Sequence, residues 1–543
     1  MIKEPVLKAT LNYDRGTIVI RGLAHIPFAT PDPRSNNNNI LRAQALYYVN
    51  IVEYLKQSGI EFADYVFSDV IASPDLNSSN NNDDDGGIVV KQNKATATAG
   101  IAIASSLVSL RDYQQKALDN WIRAGMRGSV VLPTGSGKTI VGIKAIETVN
   151  ASSLIIVPTL DLMDQWTAVL SKYFHQPTKI GNLGGGIDDV QPITVSTYDS
   201  AYLRAPLLGN KFSLIIFDEV HHLAALGYRT IAEQMAAPYR LGLTATIERE
   251  DELHRDLPRL VGEVVYQASP DTLAKKKHLA SYEIERRRVE LLPEELKEYR
   301  ENMSTYRQCL NKIGKTMGGY YNLSLEKLIM ISGKNPTARQ ALLARNKATN
   351  IALNSKAKIE ELKEILAENQ GKKTIIFTQH NSLVYQISDK FLIPFITYKT
   401  NKDERQDVLT GFKEGRYMAI VTSKVLDEGI DVPDAELGII VSGTGSAREF
   451  IQRLGRLLRP KPKAATSGAA TDDEKEDSSR RSKKAKLIEI ISSETREETI
   501  TGAKRKRALR SIRQDGEEEG DEEDHINKQL QEEAEYTTNN RIC

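Results

Sequence analysis

Lys138 and Thr139 end the run Pro-Thr-Gly-Ser-Gly-Lys-Thr, residues 133–139. Val130-Val131-Leu132 before it reads as a buried strand. Ile140, Val141, Ile143, Ala145 and Ile146 after it recur at helical spacing. A strand, a glycine-bearing loop and a helix start aim free backbone N–H groups at one point, and that point attracts phosphate. Thr134, Gly135, Ser136 and Gly137 would line the cradle. Lys138 would reach the β- and γ-phosphates of a nucleotide, and the Thr139 hydroxyl would ligate Mg²⁺. The strict pattern has Gly six residues before the Lys; here that position is Leu132.

A carboxylate pair follows downstream in Leu-Ile-Ile-Phe-Asp-Glu-Val-His-His, 214–222. It ends an apolar strand, where open α/β sheets bind ligands. Asp218 suits Mg²⁺, held through water, and Glu219 suits polarisation of the water that attacks a γ-phosphate. Thr244-Ala245-Thr246 ends another short strand with two hydroxyls, placed to contact the acidic motif and sense phosphate. Near the start, Gln114 opens an amphipathic helix, Tyr113 to Trp121. Its amide matches the donor and acceptor of adenine's edge, and Arg111 would lie on the base face. Towards the C-terminal end, Gln452, Arg453, Arg456 and Arg459 are closely spaced, with 452, 456 and 459 on one helical face. An arginine supplied by a second domain can be worth ~10³–10⁵ in phosphoryl-transfer rate. Arg456 and Arg459 are the candidates, with Gln452 supporting. Gly429 and Asp431 precede them and would face the same cleft.

The elements that must position these groups divide the 543 residues into several domains. Residues 1–76 mix short strands with an expected helix, Ile40 to Gln57, and form a small α+β unit. Residues 77–104 are a linker and the entry to the motor; the polar run "LNSSNNNDDDGG" (76–87) marks its beginning. Residues 105–270 alternate strands and helices. Residues 271–350 read as a charged helical segment. Residues 351–512 return to α/β alternation, with a flexible charged insert at 461–484 and a further strand at 486–492. Residues 513–543 form an acidic, disordered tail. The expected architecture is therefore α/β, with two parallel-sheet domains and a helical insertion between them. Net charge is +1, so total charge says nothing about partners. Two cysteines, Cys309 and Cys543, suggest no disulfide framework and fit a reducing compartment. No apolar run approaches the ~18–20 residues of a membrane span, and the N-terminus lacks a signal-peptide core. A soluble intracellular protein without membrane contact is expected.

The ordered set Gln114, Lys138, Asp218-Glu219-Val220-His221, Thr244-Ala245-Thr246, Asp431 and Gln452–Arg459 resembles superfamily 2 helicases over roughly residues 105–512. That resemblance implies two RecA-like domains with ATP between them, and coupling roles for His221, Thr244, Ala245, Thr246, Gly429 and Asp431. A narrower likeness rests on Arg249-Glu250-Asp251 just after Thr-Ala-Thr, on the helical segment, and on Gln-Arg-Leu-Gly-Arg-Leu-Leu-Arg-Pro (452–460). Together these are similar to the XPB family, above all its archaeal members. The likeness implies a 3′ to 5′ DNA helicase or duplex translocase of nucleotide excision repair, and in eukaryotes of transcription initiation. It assigns DNA opening to Arg249, Glu250 and Asp251, and DNA contact to a helical thumb near 290–345. It also implies a damage-recognition role for residues 1–76, a nuclease partner, and action at the nucleoid in the cytoplasm or in a nucleus.

The residues themselves leave alternatives. Residues 1–76 carry no basic stripe, so protein docking is an equal reading. The block "KRKRALRSIR" (504–513) reads as a phosphate-backbone contact or a nuclear-localisation signal. The tail reads as a solubility element or a nucleic-acid mimic. An RNA helicase, or an inactive motor used for binding, would share much of the pattern, because motor motifs contact mainly phosphate and sugar. Two motor domains in one chain complete an ATP site, so a monomer is expected.

Overall fold

The computed structural model describes residues 8–35, 39–67, 109–174, 178–249, 251–276, 282–316, 325–423, 435–442 and 485–498. The linker at 77–104, Glu250, Gly429, Asp431, Gln452, Arg453, Arg456, Arg459, the insert at 461–484, the basic block and the acidic tail lie outside them.

Strands made of near-continuous apolar residues must be covered on both faces, which favours parallel sheets under helices. Ser153–Val157 and Leu214–Asp218 are buried along their whole length. They lie at the centre of an eight-stranded sheet. Its order is Val264–Gln267, Arg127–Val131, Tyr239–Thr244, Leu214–Asp218, Ser153–Val157, Ile193–Thr197, Ile180–Gly184, Ile187–Asp188. All neighbours are parallel except the last pair. A second sheet is fully parallel, in the order Tyr282–Val289, Ala485–Ser492, Leu437–Ile440, Thr374–Phe377, Ala419–Thr422, Phe395–Ile396. These two sheets, with their helices, are the two expected α/β domains.

Two local expectations are corrected. The stretch 271–350 is not helical throughout, because Tyr282–Val289 is a strand on the edge of the second sheet. Its charges look helical in sequence, but they serve as edge charges. Glu285 pairs with Arg287 and Lys486, and Arg286 reaches the buried Glu489. Charged edge strands resist pairing with other chains. The helices of the segment are Pro293–Thr316, Leu325–Ser332 and Pro336–Leu353. Ala338, Ala341, Ala344, Ala348 and Ala352 are buried on the last of these. Small side chains there let its neighbour approach closely, with Met303, Cys309 and Ile313 filling the seam.

The expected helix Ile40 to Gln57 is likewise two elements. Ile40–Gln44 is a strand and Tyr48–Gln57 the helix. Leu41 and Ala43 alternate inward, while Arg42 points out to Asp14 and Asp32. Pairing with Thr17–Arg21 overrides the helical pattern. The resulting small five-stranded sheet is mixed, with Ala9–Asp14 parallel to Phe62–Asp64.

This small domain is pinned to the first α/β domain by Tyr13. The last carbonyls of a helix lack intrahelical partners. Tyr13 Oη sits 3.0 Å from the Pro206 carbonyl at the end of helix Tyr198–Leu208, and 3.0 Å from that of Gln234. Burial pushes its phenol up to about 12, so it stays a donor. A Cβ on Gly209 would lie 2.0 Å from that oxygen, so only glycine leaves room. Tyr13→Phe should therefore lower stability by about 1–3 kcal/mol, because a half-buried carbonyl loses its donor. Chemical denaturation checks this, with an unchanged midpoint counting against the pin.

Candidate nucleotide site

Strand order brings the dispersed motifs together. Arg127–Val131, Tyr239–Thr244 and Leu214–Asp218 are adjacent and parallel. The glycine loop, the Thr-Ala-Thr segment and the carboxylate pair therefore leave neighbouring strand ends. Leu132 N donates to Thr244 O at 2.9 Å and ties the first two.

Gly135 and Gly137 have φ of 82° and 81°, left-handed values that disfavour other residues. Gly137 directly precedes the helix Lys138–Val149. The Ser136 hydroxyl donates to Pro133 O at 2.6 Å, so it braces the loop. The Thr134 hydroxyl is buried. Lys138 Nζ lies 3.4 Å from Leu132 O and 3.5 Å from Glu219 Oε1. One ammonium thus links the loop to the carboxylate pair.

Asp218 is buried. Its Oδ2 accepts the Trp166 indole N–H at 2.8 Å and its Oδ1 accepts Glu219 N at 3.0 Å. Burial, and then the neighbouring Glu219, push its carboxyl up to about 6, while Lys138 and the Trp166 N–H pull the other way. The unfolded carboxyl titrates near 3.8, so the folded chain holds this proton more tightly. Ionisation of Asp218 then costs stability as pH rises from about 4 to about 6, and the whole cost stands above that. Asp218→Asn should accordingly raise the melting temperature more near pH ~7 than near pH ~4. Equal shifts at both would contradict the reading.

Glu219 adopts φ 48°, a left-handed value just past the strand end. The Thr244 hydroxyl lies 3.3 Å from Glu219 Oε2 and 2.7 Å from Thr246 O. His221 is fully buried, with Nδ1 3.1 Å from Thr244 Oγ1 and 3.5 Å from Glu219 Oε2. Ala245 is buried beside them. Carboxylate, imidazole and hydroxyl form one network, so movement at Thr244–Thr246 is felt at Glu219.

Arg249 joins this network. Its Nη1 donates to His221 O at 2.8 Å, and Nε and Nη2 clasp Asp251 at 2.8 and 2.6 Å. That clasp holds the Asp251 carboxyl down at about 2. Arg249 and Asp251 are thus fastened to the back of the carboxylate motif.

Gln114 departs from its expected posture. It is buried; its Nε2 donates to Ser136 O at 2.8 Å and its Oε1 accepts Arg111 N at 2.9 Å. The amide props the phosphate loop instead of offering a free edge. A Cβ on Gly137 would sit 2.6 Å from it. Arg111 is exposed at the helix start, with Nη1 3.3 Å from Tyr113 Oη. Sequence reasoning missed Tyr113, whose hydroxyl donates to Ser136 O at 2.6 Å, and Trp166. Aromatic residues at helical spacing read as core, and both are indeed buried; only the fold shows where their polar tips point.

The oxygen donors Thr139 and Asp218 are hard ligands that fit Mg²⁺. Among the described residues no group of three or more His, Cys, Asp or Glu is arranged to hold a metal ion. A cation here would rely on phosphate oxygens and water for the rest of its shell, which is how Mg²⁺ usually binds.

A phosphate loop, a carboxylate pair and a hydroxyl relay on one parallel sheet, followed in the chain by a second parallel sheet, define a RecA-type helicase motor of superfamily 2. Comparison with known proteins narrows this. Residues 107–249 match the family model of the type III restriction enzyme res subunit, and 357–461 that of the helicase conserved C-terminal domain. Residues 11–66 match the xeroderma pigmentosum group B helicase damage recognition domain. The DNA 3′-5′ translocase XPB2 of Sulfurisphaera tokodaii is 48% identical over 359 residues, 66% of this chain and 80% of that protein. The DNA 3′-5′ helicase XPB of Mycobacterium tuberculosis is 31% identical over 65% of this chain and 58% of its own length. The XPB/SSL2 subunit of general transcription and DNA repair factor IIH from Saccharomyces cerevisiae is 29% identical over 65% and 40%. This chain spans only about half of these two longer relatives. The helicase domain of Hef from Pyrococcus furiosus shares 21% identity at a TM-score of 0.47, covering 73% of this chain and 99% of that one. The chain belongs to the XPB family of superfamily 2 helicases.

Proposed function

We propose that this chain is an ATP-dependent DNA helicase and duplex translocase of 3′ to 5′ polarity, opening DNA in nucleotide excision repair, with transcription initiation as a second setting. The observation that carries the reading is the contact of Lys138, Glu219, His221 and Thr244 at adjoining strand ends. Lys138 holds the β- and γ-phosphates. Glu219 orients and polarises the attacking water. Arg456 and Arg459 act from the second domain, supported by Gln452, and Gly429 and Asp431 couple the cleft to the track. Mg²⁺, held by Thr139 and Asp218, would neutralise phosphate charge. Adenine is read by Gln114, which exchanges its bond to Ser136 O for the base edge, with Arg111 on the base face. Arg249, Glu250 and Asp251 open DNA, and the bond from Arg249 to His221 O supports a link between opening and hydrolysis. Residues 1–76 present damaged or forked DNA, the chain works as a monomer, and a nuclease is its partner. It acts at the nucleoid in the cytoplasm, or in a nucleus.

Steady-state ATPase with duplex, forked and single-stranded DNA and matched RNA tests this. Stimulation by DNA and not RNA is expected, with duplex above single strands for a translocase. Stimulation by RNA alone would overturn the assignment.

A further inference from the structure

The helix Leu160–Tyr173 touches both Asp218 of the carboxylate pair and the second motor domain. On one side Trp166 is 1% exposed and donates its indole N–H to Asp218 Oδ2 at 2.8 Å. The ring lies against Gly142 of the phosphate-loop helix, where an added Cβ would come within 2.7 Å of Trp166 Cη2. The indole is therefore wedged between the loop's helix and the carboxylate. On another side of the same helix, Asp161 accepts Arg405 Nη1 at 2.5 Å and Asp164 accepts Lys402 Nζ at 2.5 Å. Arg405 and Lys402 lie on the helix Lys402–Glu414 of the second domain. Arg405–Asp161 is the more enclosed pair, with side chains 17% and 29% exposed, and Lys402–Asp164 is open to water. Exposed pairs contribute little, so Arg405 makes the principal polar tie.

Asp161 and Trp166 are separated by five positions, about 7.5 Å along the helix axis. A hydrogen-bonded helix of that length moves as a rigid strut. Displacing the second domain from Asp161 therefore displaces the indole N–H relative to Asp218. Groups that orient a ligating carboxylate typically change metal affinity by about 10–100-fold when removed.

We propose that Trp166 is a positioning residue through which the Arg405–Asp161 contact between the motor domains sets the orientation of Asp218 and so the binding of Mg²⁺-nucleotide. This rests on the ATP-site reading above. Coupling of this kind is reciprocal, so Mg²⁺-nucleotide must also tighten the contact between the domains.

The test is equilibrium binding of a fluorescent ADP analogue to the full chain, with Mg²⁺ and with EDTA. The proteins are wild type, Trp166→Phe, Arg405→Gln and the double variant. Trp166→Phe should leave metal-free affinity unchanged and reduce the Mg²⁺-dependent gain by about tenfold or more. Arg405→Gln, on the other domain, should lose part of the same gain, and the double variant should lose no more than Trp166→Phe alone. Simple additivity, or an unaffected Arg405→Gln, would overturn the relay. Equal losses with and without Mg²⁺ in Trp166→Phe would reduce the indole to packing. Should Trp166→Phe fail to fold, Arg405→Gln still decides, because its effect must appear in the Mg²⁺-dependent gain. A wild type with no Mg²⁺-dependent gain would instead refute the ATP-site reading itself.

Discussion

Lys138→Ala is expected to lower ATP turnover by roughly 10³-fold or more, with or without DNA. The ammonium is the only lysine charge brought into contact with the carboxylate pair among the described residues, at 3.5 Å from Glu219 Oε1. Its loss removes the cation that would meet the β- and γ-phosphates. It also removes a charge that holds the Asp218 carboxyl down against burial and Glu219. Asp218 would then stay protonated to higher pH and become a poorer ligand. Turnover measured across pH separates the two effects. Loss of phosphate contact lowers the whole profile, and loss of countercharge moves its acid limb to higher pH. Retained DNA-stimulated turnover in Lys138→Ala would end the assignment of the loop.

Glu219→Gln should lower turnover by about 10²–10⁴-fold while leaving nucleotide binding nearly intact. The amide matches the carboxylate in shape, and its oxygen can still accept from the Thr244 hydroxyl, now 3.3 Å away. What disappears is the negative charge that polarises water. Single-turnover hydrolysis together with nucleotide binding distinguishes this from a structural defect. A parallel loss of binding would mean that Glu219 mainly holds Lys138 and the network of His221 and Thr244.

The site was legible to different depths. Lys138, Asp218, Glu219 and Thr244 were readable because phosphate chemistry demands particular groups at strand ends. The strand Ile40–Gln44 was misread because its inward alternation, Leu41 and Ala43, is only two residues long and runs directly into the helix that follows, and only pairing with Thr17–Arg21 decides. Tyr282–Val289 was misread for a similar reason, since its strand partner lies some two hundred residues further along the chain. Gln114 was read as an adenine contact, but its present bonds to Ser136 and Arg111 depend on how close its helix approaches the loop.

Local chemistry along the chain thus determined which groups make up the candidate site: a glycine loop able to take positive φ, a lysine, a carboxylate pair and a hydroxyl segment. Residue type and short spacing are enough for that, because each motif is built within one strand end and its turn. Tertiary structure alone decided who touches whom. It placed the Trp166 N–H on Asp218, Arg249 on the His221 carbonyl, Arg405 on Asp161 and Tyr13 on the end of a distant helix. Those contacts join residues far apart in sequence, and their geometry comes from strand order and helix packing, which no local pattern encodes.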